Sequence, residues 1–91
     1  MKNIETAALV YKQLTDGKKP EDFSHEALII KHMLTVGPIT PMDAIKKFDC
    51  TRLSARIYDL ENSHHITVAR VKVTKGKKTY MRYWLEEDDN A

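Results

Sequence analysis

The chain has 91 residues, 42% of them hydrophobic and 31% charged, and its formal net charge at pH 7 is +2. This length predicts one domain with a single modest core, and no apolar run approaches the roughly 18 residues that a membrane-spanning helix needs. An early acid and the lack of a long apolar stretch argue against a signal peptide. The single cysteine, Cys50, cannot form an internal disulfide, so we expect a reduced, cytoplasmic environment.

Charge is distributed unevenly along the chain. Residues 1–61 carry nine cationic and nine acidic side chains, whereas residues 62–85 carry six cationic side chains and no acid. Residues 86–91 then hold four acids, and we expect them to form an acidic disordered tail. A basic block inside a near-neutral chain indicates a polyanionic partner.

The first predicted element is a helix from Ile4 to Leu14, whose broad apolar side consists of Ala7, Ala8, Val10, Tyr11 and Leu14. Residues 15–23 contain Gly17 and Pro20 and are predicted to form a loop. We treat residues 1–23 as one unit and as a candidate dimer element. The alternative is that this helix packs back on its own domain.

Two further helices are predicted from capping signals. Ser24 suits the N-cap of a central helix over residues 25–36, which Gly37-Pro38 ends. Thr40-Pro41 restarts a short helix, with Asp43 placed where the helix dipole favours a negative charge. The apolar face of this short helix consists of Ala44, Ile45 and Phe48.

The next helix follows after a very short connection. Asp49-Cys50 forms the turn, Thr51 is the predicted cap, and the helix covers about Arg52 to Glu61. Its buried stripe falls at i, i+4 and i+7, at Leu53, Ile57 and Leu60. Cys50 in this turn is expected to be a small buried hydrophobic residue, not a nucleophile.

The period then changes from helical to alternating. Residues 66–73 and 79–85 are predicted strands, joined into a β-hairpin by a turn that contains Gly76. Alternation along the strands offers two choices of face, and we consider the one whose inward face consists of Ala69, Val71, Val73, Met81, Tyr83 and Leu85. The expected outward face is basic and aromatic, with Arg70, Lys72, Tyr80, Arg82 and Trp84.

This order of elements resembles a winged helix-turn-helix, an α+β fold with a three-helix core and a C-terminal β-hairpin wing. Here an extra N-terminal helix precedes the domain, which would span residues 24–85. The segment ITPMDAIKKFDCTRLSARIYDL is similar to small phage and prophage helix-turn-helix proteins, whose pattern runs I-T-P-x-x-A, a short turn, then R-L-[SA]-A-R-I-x-D-L. Those proteins often have a glycine in the turn, where this chain has Asp49, a residue that tolerates a left-handed conformation.

The resemblance implies two DNA-contacting regions. The recognition helix, about Arg52 to Asn62, would present Thr51, Arg52, Ser54, Ala55, Arg56 and Tyr58 to base edges and phosphates. The wing would contribute phosphate contacts from Arg70, Lys72, Lys75, Lys77, Lys78 and Arg82. Arg56 could instead form a surface ion pair with Asp59 at i+3, and the hairpin cations could only keep an edge strand soluble.

No spacing of histidines, cysteines or carboxylates predicts a metal site, and no catalytic or cofactor-binding pattern is present. We therefore expect a non-enzyme without cofactor or small-molecule substrate. The predicted function is sequence-specific binding of double-stranded DNA as a homodimer. The protein would be a phage or mobile-element transcriptional regulator or a recombination directionality factor. The alternative is a winged-helix interaction module that docks on a host or replication protein.

Overall fold

A computed structural model describes residues 2–87 as four helices followed by one β-hairpin. The elements are α1 (Asn3–Thr15), a 3-10 turn (Pro20–Asp22), α2 (His25–Thr35), α3 (Pro41–Phe48), α4 (Leu53–Ser63), β1 (Val68–Lys75) and β2 (Lys78–Leu85). This arrangement confirms the predicted α+β class. None of the helices in this range is long and apolar enough to cross a membrane.

The predicted helix signals are present as side-chain caps. The Ser24 hydroxyl accepts the Ala27 N–H at 3.2 Å at the start of α2. At the start of α3, the Thr40 hydroxyl accepts the Asp43 N–H at 3.2 Å, and the Asp43 carboxylate accepts the Thr40 N–H at 3.1 Å. This is a capping box, which satisfies two otherwise orphaned donors. Asp49 ends α3 in the left-handed conformation, with φ 56° and ψ 32°, as the short turn requires.

The predicted cap of α4 is wrong. Arg52, and not Thr51, occupies the N-cap position, and within the described residues no side chain caps this helix. Arg52 has the non-helical dihedrals φ −125° and ψ 54°, so Thr51 lies one position too far from the helix for its hydroxyl to reach the first free N–H groups. The helix also extends to Ser63, two residues beyond the predicted end.

The hairpin has a single-residue third strand beside it. β1 and β2 pair antiparallel from Val68↔Leu85 to Lys75↔Lys78. On the other edge of β2, the Ile39 N–H donates to the Tyr83 carbonyl at 2.8 Å, and the Tyr83 N–H donates to the Ile39 carbonyl at 2.9 Å. These bonds fix the segment between α2 and α3 against the sheet.

One core joins the helices and the base of the hairpin. Its fully enclosed side chains include Ile29 and Ile30 of α2, Ile57 and Leu60 of α4, and Ile39. Cys50 is also buried, in agreement with its predicted apolar role. The buried face of α4 is therefore held against α2, and its opposite face is turned to solvent.

Helix α1 belongs to this same core. Ala7 and Val10 are buried in it, and the Asn3 side chain donates to the Thr67 and Glu86 carbonyls at 2.8 and 2.6 Å. Its Oδ1 accepts the Thr67 N–H at 2.7 Å. The packing of this helix on its own domain is thus the observed arrangement, and a role in dimerisation stays a prediction. The predicted disordered tail covers residues 86–91, of which residues 88–91 lie outside the described part of the chain. Within the described part, the Glu86 N–H donates to the Thr67 carbonyl.

Candidate nucleic-acid interface

The outer face of α4 is polar and accessible. Leu53, Ile57 and Leu60 point inward, as predicted. On the outer side, Ser54 is exposed, Tyr58 is 58% exposed, and Ala55 is half-buried. A helix with small and polar outward residues can approach base edges closely in a major groove.

A polar pocket lies at the start of α4. It encloses about 300 Å³, and its lining includes Thr51, Arg52 and Arg56 together with His25, the first residue of α2. Asp49 and Cys50 complete the lining. The structure therefore brings three predicted DNA-contacting residues into one cavity. His25 is an additional polar residue there that the sequence pattern did not single out, because it is distant from α4 in the chain.

Arg56 also has an acidic neighbour. Its Nη1 lies 3.5 Å from the Asp59 Oδ2, and the two side chains are 36% and 45% exposed. The alternative predicted for Arg56, an ion pair at i+3, is therefore present in this structure. Such an exposed pair contributes at most about 1 kcal/mol, so a phosphate that approaches can compete for the guanidinium.

The hairpin ends in a cationic tip. Lys75 pairs with Lys78, so the connecting loop has only two residues, Gly76 and Lys77. Gly76 has φ 62° at the first loop position, as a type II′ turn requires. Lys75, Lys77 and Lys78, which we call the tip lysines, are exposed. Within residues 2–87 none of the three has an ion-pair partner.

The predicted faces of the hairpin are right for β2, where Tyr83 and Leu85 are buried, but wrong for β1. The two-residue loop pairs Arg70 with Tyr83 and Lys72 with Met81, and directly paired residues share a face. Arg70 and Lys72 are therefore on the face that carries buried Tyr83. The other face consists of Ala69, Val71, Val73, Tyr80, Arg82 and Trp84.

The physical reason for this error is the register. The observed register pairs even-numbered residues of β1 with odd-numbered residues of β2, whereas the predicted faces grouped odd with odd. Val71, predicted inward, is exposed, and Arg82 with half-buried Trp84 lines a separate groove beside Ile4 and Pro38. The six hairpin cations are thus divided between two faces and the tip.

A family comparison matches residues 24–88 to the winged helix-turn-helix domain, and this match covers more than two-thirds of the chain. The chain belongs to the winged helix-turn-helix family. Comparisons with curated proteins and with solved structures gave no match. In this winged helix-turn-helix domain, α3 and α4 form the helix-turn-helix, and β1 and β2 form the wing. Helix α1 precedes the matched region, although it packs in the same core.

Arg70 connects the wing of this domain to the helix-turn-helix. Its Nη2 lies 2.5 Å from the Glu61 Oε1 near the end of α4, and its guanidinium carbon lies 5.4 Å from the centroid of the Tyr83 ring. It also donates to the Val68 carbonyl at 3.4 Å. Of these three contacts, the ion pair with Glu61 is the one that reaches α4, and it links the base of the wing to the end of that helix. The sequence did not reveal this role, because it depends on the register of the hairpin.

Proposed function

We propose that this winged helix-turn-helix protein binds double-stranded DNA sequence-specifically. The observation that carries the proposal is the pocket at the start of α4, where Arg52 and Arg56 are accessible beside the outward face of the helix. Arg52 would read a guanine bidentately or hold a phosphate, and Ser54 and Tyr58 would contact neighbouring groups in the major groove.

The tip lysines would bind the phosphate backbone. Lysine clusters add affinity without reading sequence, and their contribution depends on salt. Lys72 would add to this contact from the wing face that also carries Arg70. Arg82 would join only where the duplex reaches the opposite face.

The action would be occupancy of a site and not chemistry, since the winged helix-turn-helix is a DNA-binding fold that typically lacks catalysis. We infer an intracellular regulator of a phage or mobile element, either a transcriptional regulator or a recombination directionality factor. The protein would bind paired half-sites as a homodimer, as small helix-turn-helix proteins commonly do.

A selection of duplexes from a random-sequence pool tests the proposal. An enriched duplex and its scrambled version are then compared by fluorescence anisotropy over a salt series. Arg52→Ala should reduce the binding free energy for the enriched duplex by about 1–3 kcal/mol more than that for the scrambled duplex. Changing the tip lysines to alanine should weaken both duplexes alike and reduce the salt slope by up to about 2.7, or 0.9 for each phosphate contact.

The matched control removes three other exposed lysines, Lys12, Lys18 and Lys19, from α1 and the loop that follows it. The net charge changes equally in the two triple variants, so only a local contact distinguishes them. No enriched duplex, or equal salt slopes in the two triple variants, would contradict the proposed interface.

A further inference from the structure

The edge of β2 that faces away from β1 is open near the wing tip. Tyr83 directs its N–H and C=O to Ile39 on this edge. Backbone groups of successive residues point to alternate sides of a strand. Met81 and Thr79 lie two and four positions before Tyr83, so their N–H and C=O groups point to the same side as those of Tyr83. In the described part of the chain, no hydrogen bond reaches these outward groups.

The local sequence explains why the edge is open. Ile39 is a single bridge residue, because Thr40 caps α3 immediately afterwards and Pro41 begins it. The chain leaves the sheet after one pairing, so nothing continues opposite Met81 and Thr79. Edges of this kind are usually covered or blocked, since they act as templates for another strand.

A groove lies between this edge and α3. It has a volume of about 660 Å³, and its walls are residues 40–43 and Ile45 on one side and residues 78–80 on the other. We call it the α3–β2 groove. Met42 is 53% exposed and Ile45 is 42% exposed, although Ile45 was predicted to lie on the apolar face of its helix. Tyr80 adds an aromatic surface on the opposite wall.

We propose that the α3–β2 groove binds an extended acidic peptide of a partner protein by β-strand addition. The unpaired groups of Thr79 and Met81 would supply main-chain hydrogen bonds, and Met42 and Ile45 would receive alternate apolar side chains. Lys78 in the groove and Lys77 beside it favour acidic residues in the peptide. Asp43 lies on the α3 wall of the groove and Lys78 on the β2 wall, so the acidic residues of the peptide would lie on the β2 side, beside Lys77 and Lys78.

A second copy of this chain fits the edge poorly. If two β2 strands paired antiparallel about their Thr79 and Met81 groups, Lys78 of each copy would lie opposite Arg82 of the other. Like charges directly opposite each other destabilise a strand pair. The charge of the edge therefore favours an acidic strand from a different protein.

A displayed library of random octapeptides, selected on the full chain, tests the inference. We expect enriched peptides that alternate apolar and acidic residues. A synthetic peptide of that sequence should shift the amide NMR signals of Thr79 and Met81 and slow their hydrogen exchange. The same peptide N-methylated at every residue should not bind, because it cannot form the main-chain ladder.

Ile45→Gln should weaken peptide binding at least fivefold. The matched control is Leu9→Gln, which changes a similarly exposed apolar residue of α1 and should leave peptide binding unchanged. Met42→Gln provides a second variant in the groove. Ile45→Gln should leave duplex affinity unchanged, so a failure of peptide binding and a failure of DNA binding are read separately.

Three outcomes would overturn the inference. The first is that no enriched peptide distinguishes the parent chain from Ile45→Gln. The second is that Ile45→Gln and Met42→Gln weaken duplex binding as much as peptide binding, which would assign the groove to the DNA surface. The third is that the NMR signals of the Thr79 and Met81 amides shift when the protein concentration alone is raised, while the molecular mass of the protein in solution doubles. That result would assign the edge to a second copy of the chain.

Discussion

Replacing Asn3 with alanine tests whether α1 is an integral part of the winged domain. The Asn3 side chain is the polar link between the start of α1 and the base of the wing, and the residue is only 7% exposed. It pairs with the N–H and C=O of Thr67 and with the Glu86 carbonyl. Alanine keeps the helix but removes these three hydrogen bonds.

The expected loss follows from these contacts. Each hydrogen bond contributes about 0.5–1.5 kcal/mol net, and the three together would contribute about 3 kcal/mol if none were replaced. Water can reach the groups in part after the side chain is removed, so we expect a loss of about 2 kcal/mol in the free energy of unfolding. For a domain of this size, that loss lowers the Tm by about 8–16 °C.

Thermal and urea unfolding of Asn3→Ala measure this loss, and native-state hydrogen exchange locates it. The Thr67 amide should lose protection, while the Tyr83 amide, bonded to Ile39, should change less. Asn62→Ala is the control, because Asn62 is exposed and its side chain, among residues 2–87, bonds to the Tyr58 carbonyl of its own helix. We expect its effect to stay within about 0.5 kcal/mol.

Equal Tm values for Asn3→Ala and the parent chain would refute the reasoning. A loss of Tm that disappears at high protein concentration would also refute it, since α1 would then act between chains. In that case the predicted dimer role of α1 would replace its role within the domain.

Three further substitutions address the helix-turn-helix and the wing. Asp59→Asn removes the acidic neighbour of Arg56 and should raise duplex affinity in anisotropy titrations; unchanged affinity would place Arg56 outside the interface. Gly76→Ala should destabilise the domain by more than about 1 kcal/mol in thermal unfolding, because φ is positive there although the added Cβ meets no atom within 4 Å. A double-mutant cycle of Glu61→Gln and Arg70→Ala should give a coupling of at most about 1 kcal/mol, because both side chains are partly exposed; a larger value would contradict that limit.

The helices could be predicted from the sequence because their signals are local. Ser24 and Thr40 cap their helices with bonds that span three residues, and Asp49 takes the left-handed turn that the short connection needs. The buried stripe of α4 follows from its period alone. The start of that helix was misplaced by one residue because Thr51 and Arg52 are adjacent and only the backbone dihedrals decide which one is the cap.

The features that were missed depend on contacts between distant residues. The faces of the hairpin depend on whether its loop has an even or odd number of residues, and TKGKK is compatible with more than one length. The bridge from Ile39 to Tyr83 and the bonds of Asn3 to Thr67 join segments that share no sequence pattern. For the candidate site, the arginines of α4 and the tip lysines could be identified from their local context, whereas the position of His25 beside Arg52 could not.

The register also limits how many cations one duplex can meet. Arg70 is paired with Glu61, so it adds little net charge, and Arg82 lies on the face opposite Arg70. The cations left on the α4 side or at the tip are Arg52, Lys72 and the tip lysines, with Arg56 shared with Asp59. Phosphate contacts from the four lysines give a salt slope of about −3.6 for one protomer, and a phosphate contact from Arg52 in place of a base contact would make it about −4.5. A slope near twice the one-protomer value would indicate that two protomers bind one duplex, which is the prediction for a homodimer on paired half-sites.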